Sequence, residues 1–254
     1  MEIIRSQQNA MVKNYQKLQT SKGRKKAEAY MVEGEHLVEE AIQSNISIQR
    51  LVVSEGTIHL YEKWTKSYST MFVSKEVFEK LSMTQTNQGI LAIVPLEKKP
   101  LVEVPQGRYL LADAVQDPGN LGTIIRTADA FNFDCIILGK GTTSLYGQKV
   151  IRSTQGSNFH IDCFDNIDLV ELIDEMNEFN IFATSLKADK YIEQLDNITG
   201  KVAVVFGNEG AGVSEKILSK VNNLLKISMP GRAESLNVSV AAGIVMHYIS
   251  TNLK

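Results

Sequence analysis

The chain has 254 residues, is 43% hydrophobic and 22% charged, and carries a formal net charge of −2. That length suits one large domain or two smaller ones, and the composition excludes disordered, fibrous and collagen-like chains. No apolar run approaches the roughly 18 residues of a membrane span, residues 1–14 lack the apolar centre of a secretory signal, and two cysteines are too few for a disulfide framework.

Charge is uneven along the chain. The first 27 residues hold Arg5, Lys13, Lys17, Lys22, Arg24, Lys25 and Lys26 against Glu2 alone, a net +6, so the remainder carries −8 of the total −2. A basic end facing an acidic body suggests an anionic partner, although a solvated helix face has the same composition. Residues 7–19 are compatible with a helix. Short apolar runs follow at 30–32, 51–53, 71–73 and 90–94, separated by helix-like stretches at 35–43, 57–66 and 75–81. This alternation predicts a small α/β domain over 1–95. Pro95, Pro100 and Pro105, with Lys98 and Lys99 between them, mark 96–107 as a linker.

Beyond it, 108–254 alternates more strongly. Strands are expected at 109–112, 135–138, 181–185, 202–206 and 224–229, branched and apolar on successive residues as in a parallel sheet buried on both faces. Helices are expected at 122–131, 149–155, 168–179, 214–220 and 236–252. Cys135 and Cys163 lie in or near apolar runs and read as reduced structural thiols. The last helix is apolar nearly all round, with Leu236, Val238, Val240, Ala241, Ala242, Ile244, Val245, Met246 and Ile249. Such a helix is covered on most sides, by its own domain or by a second subunit.

Ligand sites of parallel sheets gather at the carboxyl ends of strands, and three loops there have special composition. The first, Asp117-Pro118-Gly119-Asn120-Leu121-Gly122, is a tight turn in which Asn120 is placed to cap the next helix. Arg126 follows within that helix, where it either faces the loop or pairs with Asp117 or Asp129. The second, Phe206-Gly207-Asn208-Glu209-Gly210-Ala211-Gly212, permits close backbone approach to a ligand. Glu209 at its centre and the missing Gly-Lys-Ser/Thr argue against a phosphate cradle, and no Gly-x-Gly-x-x-Gly is present. The third runs from Ile227 through Met229, Ser235 and Asn237 to Ser239 and sets polar groups into an otherwise apolar segment, with Ser235 also a candidate helix cap.

Together the three stretches resemble the SpoU/TrmH family of RNA 2′-O-ribose methyltransferases, over roughly 108–254. Asn120-Leu121-Gly122 through Arg126 is similar to its first motif, 206–212 to its second, and Ser235-Leu236-Asn237-Val238-Ser239 to its third. The region before Pro100 resembles, more loosely, the L30e-like RNA-binding domain of many members, through Asn9, Lys13, Gly34 and Glu35. The resemblance implies a SPOUT α/β fold with a C-terminal trefoil knot, a homodimer that uses the last helix, S-adenosyl-L-methionine (AdoMet) as methyl donor, and rRNA or tRNA as substrate, with rRNA favoured. It places Arg126, Asn120, Glu209, Ser235 and Asn237 at the reaction centre. Thr184, Leu186, Gly207, Ile227, Met229 and Leu236 would hold the adenosine. Lys13, Lys17, Lys22, Arg24, Lys25 and Lys26 would grip RNA phosphates. Gly147-Gln148 and Thr154-Gln155 stand where members often have Ser-Pro and Ser-Met or Ser-Ala, a departure that bears on the substrate. No metal is implied, since His36, His59, His160 and His247 show no ligand spacing, nor a membrane; a cytoplasmic setting fits. A non-catalytic RNA-binding homologue and a base-methylating relative are the rival expectations.

Overall fold

The computed structural model describes residues 1–97, 101, 107–195, 198–221 and 223–252. Most of the expected linker, including Pro100 and Pro105, lies outside them. The chain forms two units: Met1–Lys98 with Tyr146–Phe159, and Lys99–Leu145 with His160–Lys254.

The first unit runs β1 (Ile3–Ile4), α1 (Ala10–Lys17), α2 (Ser21–Ala27), β2 (Ala29–Glu33), α3 (Glu35–Gln43), β3 (Arg50–Ser54), α4 (Glu62–Thr65), β4 (Thr70–Val73), α5 (Lys75–Leu81) and β5 (Ile90–Pro95). Its sheet has the order β1-β4-β3-β5-β2, with β5 antiparallel to β3 and β2. Strands β2, β3 and β5 are buried on successive residues because both faces of the sheet are covered. Met31, Val52, Leu91 and Ile93 meet Val12, Phe78 and Leu81 on one face, while Tyr30, Val32, Ile90 and Ala92 meet Leu37, Val38 and Trp64 on the other. The helix expected over 57–66 is instead a 3₁₀ turn, Glu55–Leu60, followed by the short α4. Thr57 Oγ1 donates to Ser54 O and Gly89 O, both at 3.1 Å, which ties the turn to the sheet.

The second unit begins with β6 (Arg108–Ala112), α6 (Pro118–Ala130) and β7 (Cys135–Gly139). The chain then contributes α7 (Gln148–Thr154) to the first unit. There Gln148 Nε2 donates to Met31 O at 2.8 Å, the Tyr146 and Tyr30 rings lie 4.7 Å apart, and fully buried Ile151 joins the core beside Val32 and Val38. Ile151→Ala is therefore expected to lower unfolding free energy by about 2–5 kcal/mol, the cost of truncating a buried aliphatic side chain, read by chemical denaturation. The remaining elements are β8 (Asp162–Ile167), α8 (Leu169–Glu175), β9 (Phe179–Thr184), β10 (Lys190–Tyr191), β11 (Lys201–Phe206), α9 (Glu215–Leu218), β12 (Asn223–Lys226) and α10 (Val238–Asn252).

All strand pairs of this sheet are parallel, in the order β10-β12-β9-β11-β6-β7-β8. Leu111, Cys135, Ile137, Ala203 and Val205 pack against Ile173 and Ile217 on one face, and α6 and α10 lie against each other. Neither Cys135 nor Cys163 is in a disulfide, and burial pushes the Cys135 thiol up, which keeps it protonated. Along α10, Ala242, Val245, Met246 and Ile249 are buried, while Val240 (50%) and Ile244 (39%) remain exposed. The unit covers one face of this helix and leaves apolar residues on another. No helix among the described residues is long and apolar enough to cross a membrane.

Candidate active site

Strands β6 and β11 are neighbours in the sheet although their paired residues, such as Arg108 and Val202, lie 94 positions apart in the chain. Their carboxyl ends release the first two special loops side by side. After β6, helix α6 starts earlier than expected, at Pro118: Asp117 is its cap and accepts from Asn120 N at 2.9 Å, with Pro118 at the first helical position. Asn120 thus lies in the first turn, and its side chain is free for the site instead of capping.

The loop after β11 closes on itself. Asn208 N donates to Gly212 O, and Gly212 N donates to Asn208 O, each at 2.9 Å. Asn208 Oδ1 accepts from Gly210 N (2.9 Å) and Ala211 N (3.0 Å), and its Nδ2 donates to Ala114 O at 3.0 Å. Gly207 is obligatory here, since a Cβ would stand 2.0 Å from Gly212 C. The ring presents Glu209 to the β6 loop. Glu209 Oε1 accepts from Asp117 N (2.9 Å) and Asn120 Nδ2 (3.0 Å), and Oε2 accepts from Gln116 N (3.1 Å). Asn120 Oδ1 in turn accepts from Asn237 Nδ2 at 2.9 Å. Three loops remote in sequence are thereby joined in one network.

Burial works to raise the Glu209 carboxyl, but hydrogen bonds from Asn120 and from the amides of Asp117 and Gln116 outweigh it and hold it below its usual value. A carboxyl depressed by folding contributes stability above its unfolded value, and that contribution is lost only as pH falls through the folded value. The network is therefore intact at neutral pH. With three donors on an ionised carboxylate, Glu209 is a poor proton acceptor and a good fixed anchor.

Asn237 Oδ1 accepts from Ser239 N (2.9 Å), Ser239 Oγ (2.6 Å) and Val240 N (3.4 Å), so Asn237 caps α10. Ser235 does not; it lines a cavity of about 350 Å³ at the strand ends. The six residues expected around adenosine, Thr184, Leu186, Gly207, Ile227, Met229 and Leu236, all line this cavity, as does Glu209. Residues 227–229, expected as the end of a strand, have left the sheet after Lys226, and Ile227 and Met229 line the cavity instead. Arg126 is exposed on α6, on the face that Gly119, Gly122 and Thr123 share by helical spacing. No hydrogen bond or ion pair with the described residues holds its guanidinium; Asp129 pairs instead with His160 at 3.0 Å.

Sequence reasoning missed Asn208, which shapes the glycine loop, and Asp113, whose Oδ2 accepts from Ser214 N at 2.7 Å and fixes the loop's exit. Asp113 directly follows a strand, which is the signal that would have found it. Of the basic residues expected to meet RNA, Lys13, Lys17, Lys22, Lys25 and Lys26 are exposed. Arg24 differs. It is 7% exposed, and its Nη1 donates to Leu18 O (3.2 Å) and Gln19 O (3.3 Å), the carbonyls that close α1. Among the described residues no group of three or more His, Cys, Asp or Glu is arranged to hold a metal ion.

Comparison with known proteins agrees with this geometry. Residues 107–247 match the profile of the SpoU rRNA Methylase family, and residues 9–92 that of the MRM3-like substrate binding domain. The chain is 37% identical over 251 residues to the 23S rRNA (guanosine(2553)-2′-O)-methyltransferase RlmP of Bacillus subtilis, covering 98% of this chain and 99% of that one. An AdoMet-bound rRNA methyltransferase from Sinorhizobium meliloti superposes with a TM-score of 0.86 at 29% identity, over 97% of this chain and 96% of that one. An RNA 2′-O ribose methyltransferase superposes with a TM-score of 0.83 at 27% identity, over 99% of both chains. The parallel α/β architecture is thus of the SPOUT type that the sequence motifs implied. The chain belongs to the SpoU rRNA methylase family, with an MRM3-like substrate binding domain ahead of the methylase domain.

Proposed function

We propose that this protein transfers the methyl group of AdoMet to a ribose 2′-hydroxyl in ribosomal RNA. One observation carries the reading: residues 113–120, 207–212 and 227–237, far apart in the chain, are linked through Asn120, Glu209 and Asn237 beside a single cavity. The cavity suits AdoMet. Leu186, Ile227, Met229 and Leu236 supply apolar surface for a purine, the glycine loop supplies close backbone, and Glu209 supplies a negative charge near a cationic ligand. When bound, AdoMet brings an electrophilic methyl on a sulfonium, so the protein's tasks are alignment and handling of the hydroxyl proton. Asn120, Glu209 and Asn237 hold the loops in register, Ser235 completes the cavity floor, and Arg126 positions the acceptor ribose through its phosphate.

The kinship with RlmP of Bacillus subtilis, whose name specifies 23S rRNA, supports large-subunit rRNA over tRNA as the substrate, and with it a cytoplasmic place of action. Lys13, Lys17, Lys22, Lys25 and Lys26 supply sequence-blind phosphate contacts. The exposed Val240 and Ile244 of α10 fit burial against the same helix of a second copy. The family's C-terminal trefoil knot belongs to the same reading.

Calorimetry tests the cavity assignment. Wild type is expected to bind AdoMet with one site per chain. Gly207→Ala, whose new methyl displaces the 207–212 ring, is expected to weaken binding by at least about tenfold. Equal affinity in that variant would place the cofactor elsewhere.

A further inference from the structure

Glu33, at the end of β2, is only 6% exposed, yet it lies outside the active site. Its carboxylate accepts from Ser82 Oγ, Thr84 Oγ1 (2.6 Å) and Met83 N (3.0 Å). The far end of the same loop is fixed as well: Gln88 Oε1 accepts from Glu35 N at 2.8 Å, and Gln88 O accepts from Tyr61 Oη at 2.7 Å. Gly34, with φ +104° and Gln88 Oε1 3.0 Å from where its Cβ would be, allows that approach. A buried carboxylate that binds three donors is costly unless fully satisfied, and here it rigidifies a loop with no part in the sheet. What that loop carries is chemically distinctive. Met83 is held 45% exposed, and Gln85 and Thr86 are exposed with no hydrogen bond to the described residues. The segment 82–96 contains no charged residue.

Its surroundings are cationic. Gln19 Nε2 donates to Lys80 O (3.2 Å) and Leu81 O (3.1 Å), so the α1–α2 turn abuts the start of the loop. Lys17 and Lys22 stand within three residues of Gln19, Lys80 immediately precedes Leu81, and all three are exposed. A polyanion's phosphates are met by lysines, but an amide, a hydroxyl and a thioether on a fixed backbone offer direction without charge. These are the groups that bond the edge and cover the face of an unstacked base.

We propose that loop 82–88 reads an unpaired nucleobase of the substrate RNA, with Met83 over its face and Gln85 and Thr86 on its edge, while Lys17, Lys22 and Lys80 hold the flanking phosphates. This rests on the RNA reading above and deepens it: the loop contributes specificity, the lysines affinity.

The test uses the full-length protein with transcribed 23S rRNA and, for comparison, 16S rRNA, measuring binding at several salt concentrations and initial methylation. The double variant Q85A/T86A and the single Met83→Ser are expected to lose about tenfold affinity for 23S rRNA, the scale of a lost base contact, with 16S binding and the salt dependence unchanged. Glu33→Gln, which loosens the loop, is expected to act in the same direction. Lys17→Ala and Lys22→Ala are expected instead to weaken both RNAs alike and to reduce the salt slope by about 1 each. Loop variants that keep the wild-type preference, or that weaken both RNAs equally, overturn the proposal. Wild type that neither prefers nor methylates 23S rRNA overturns the RNA reading itself, a separate and distinguishable failure.

Discussion

Arg126→Ala is expected to lower methyl transfer by at least about 100-fold, the low end for a group positioned at the reacting atoms, while AdoMet affinity stays at the wild-type value. The split follows from placement. Arg126 sits on α6 and is absent from the cavity lining, so the cofactor loses nothing. Its guanidinium is exposed and held by no described partner, which leaves its donors for substrate. A guanidinium offers N–H donors and no acceptor, so its part is to hold a phosphate and with it the neighbouring ribose. Arg126→Lys is expected to recover little, because an ammonium lacks the planar fork that fixes a phosphate's orientation. Single-turnover methylation together with AdoMet calorimetry on each variant measures both quantities. Wild-type turnover in Arg126→Ala would remove the residue from the mechanism, and a parallel loss of AdoMet affinity would place it in the cofactor site.

Replacing the target nucleotide by its 2′-deoxy form is expected to abolish methyl transfer altogether while leaving RNA binding nearly unchanged. The 2′-oxygen is the atom that forms the new bond to the methyl carbon as the carbon–sulfur bond breaks, and it is the only group by which RNA differs from DNA at that sugar. Binding survives because phosphate contacts dominate affinity. Retained transfer would show that a base atom is the acceptor, the chemistry of the base-methylating relatives.

Much of the second unit is legible in the sequence because its strands are buried on both faces. Residues 109–112, 135–138 and 202–206 are uninterrupted apolar runs, and each falls within a strand. Strand β8 was not expected because Asp162, Asp165 and Asn166 interrupt its apolar pattern at the sheet edge. Helix α2 was hidden in the basic run, where nothing but the Thr20 cap and buried Arg24 distinguishes it from a solvated tail. The packing of α7 in the first unit is not written in its own residues either: Val150, Ile151 and Thr154 state that one face is buried, not which sheet covers it.

The site divides in the same way. Glycine spacing and strand ends pointed to 207–212 and 117–122 as loops of interest. That Glu209 meets the amides of Gln116 and Asp117 depends on β6 and β11 being neighbours, which chain order does not state. Only the resemblance to a known family joined those loops before the structure did. The helix start shows the opposite case: Asp117-Pro118 is a strong local signal for a cap and first turn, and it moves Asn120 from capping to orienting.

Methyl transfer from AdoMet to a ribose oxygen of rRNA is tested most directly by nucleoside analysis of 23S rRNA methylated in vitro with isotope-labelled AdoMet. All label is predicted to appear in a single 2′-O-methylated nucleoside, with none in tRNA. Label in a base-methylated nucleoside, or none in the RNA at all, would contradict it.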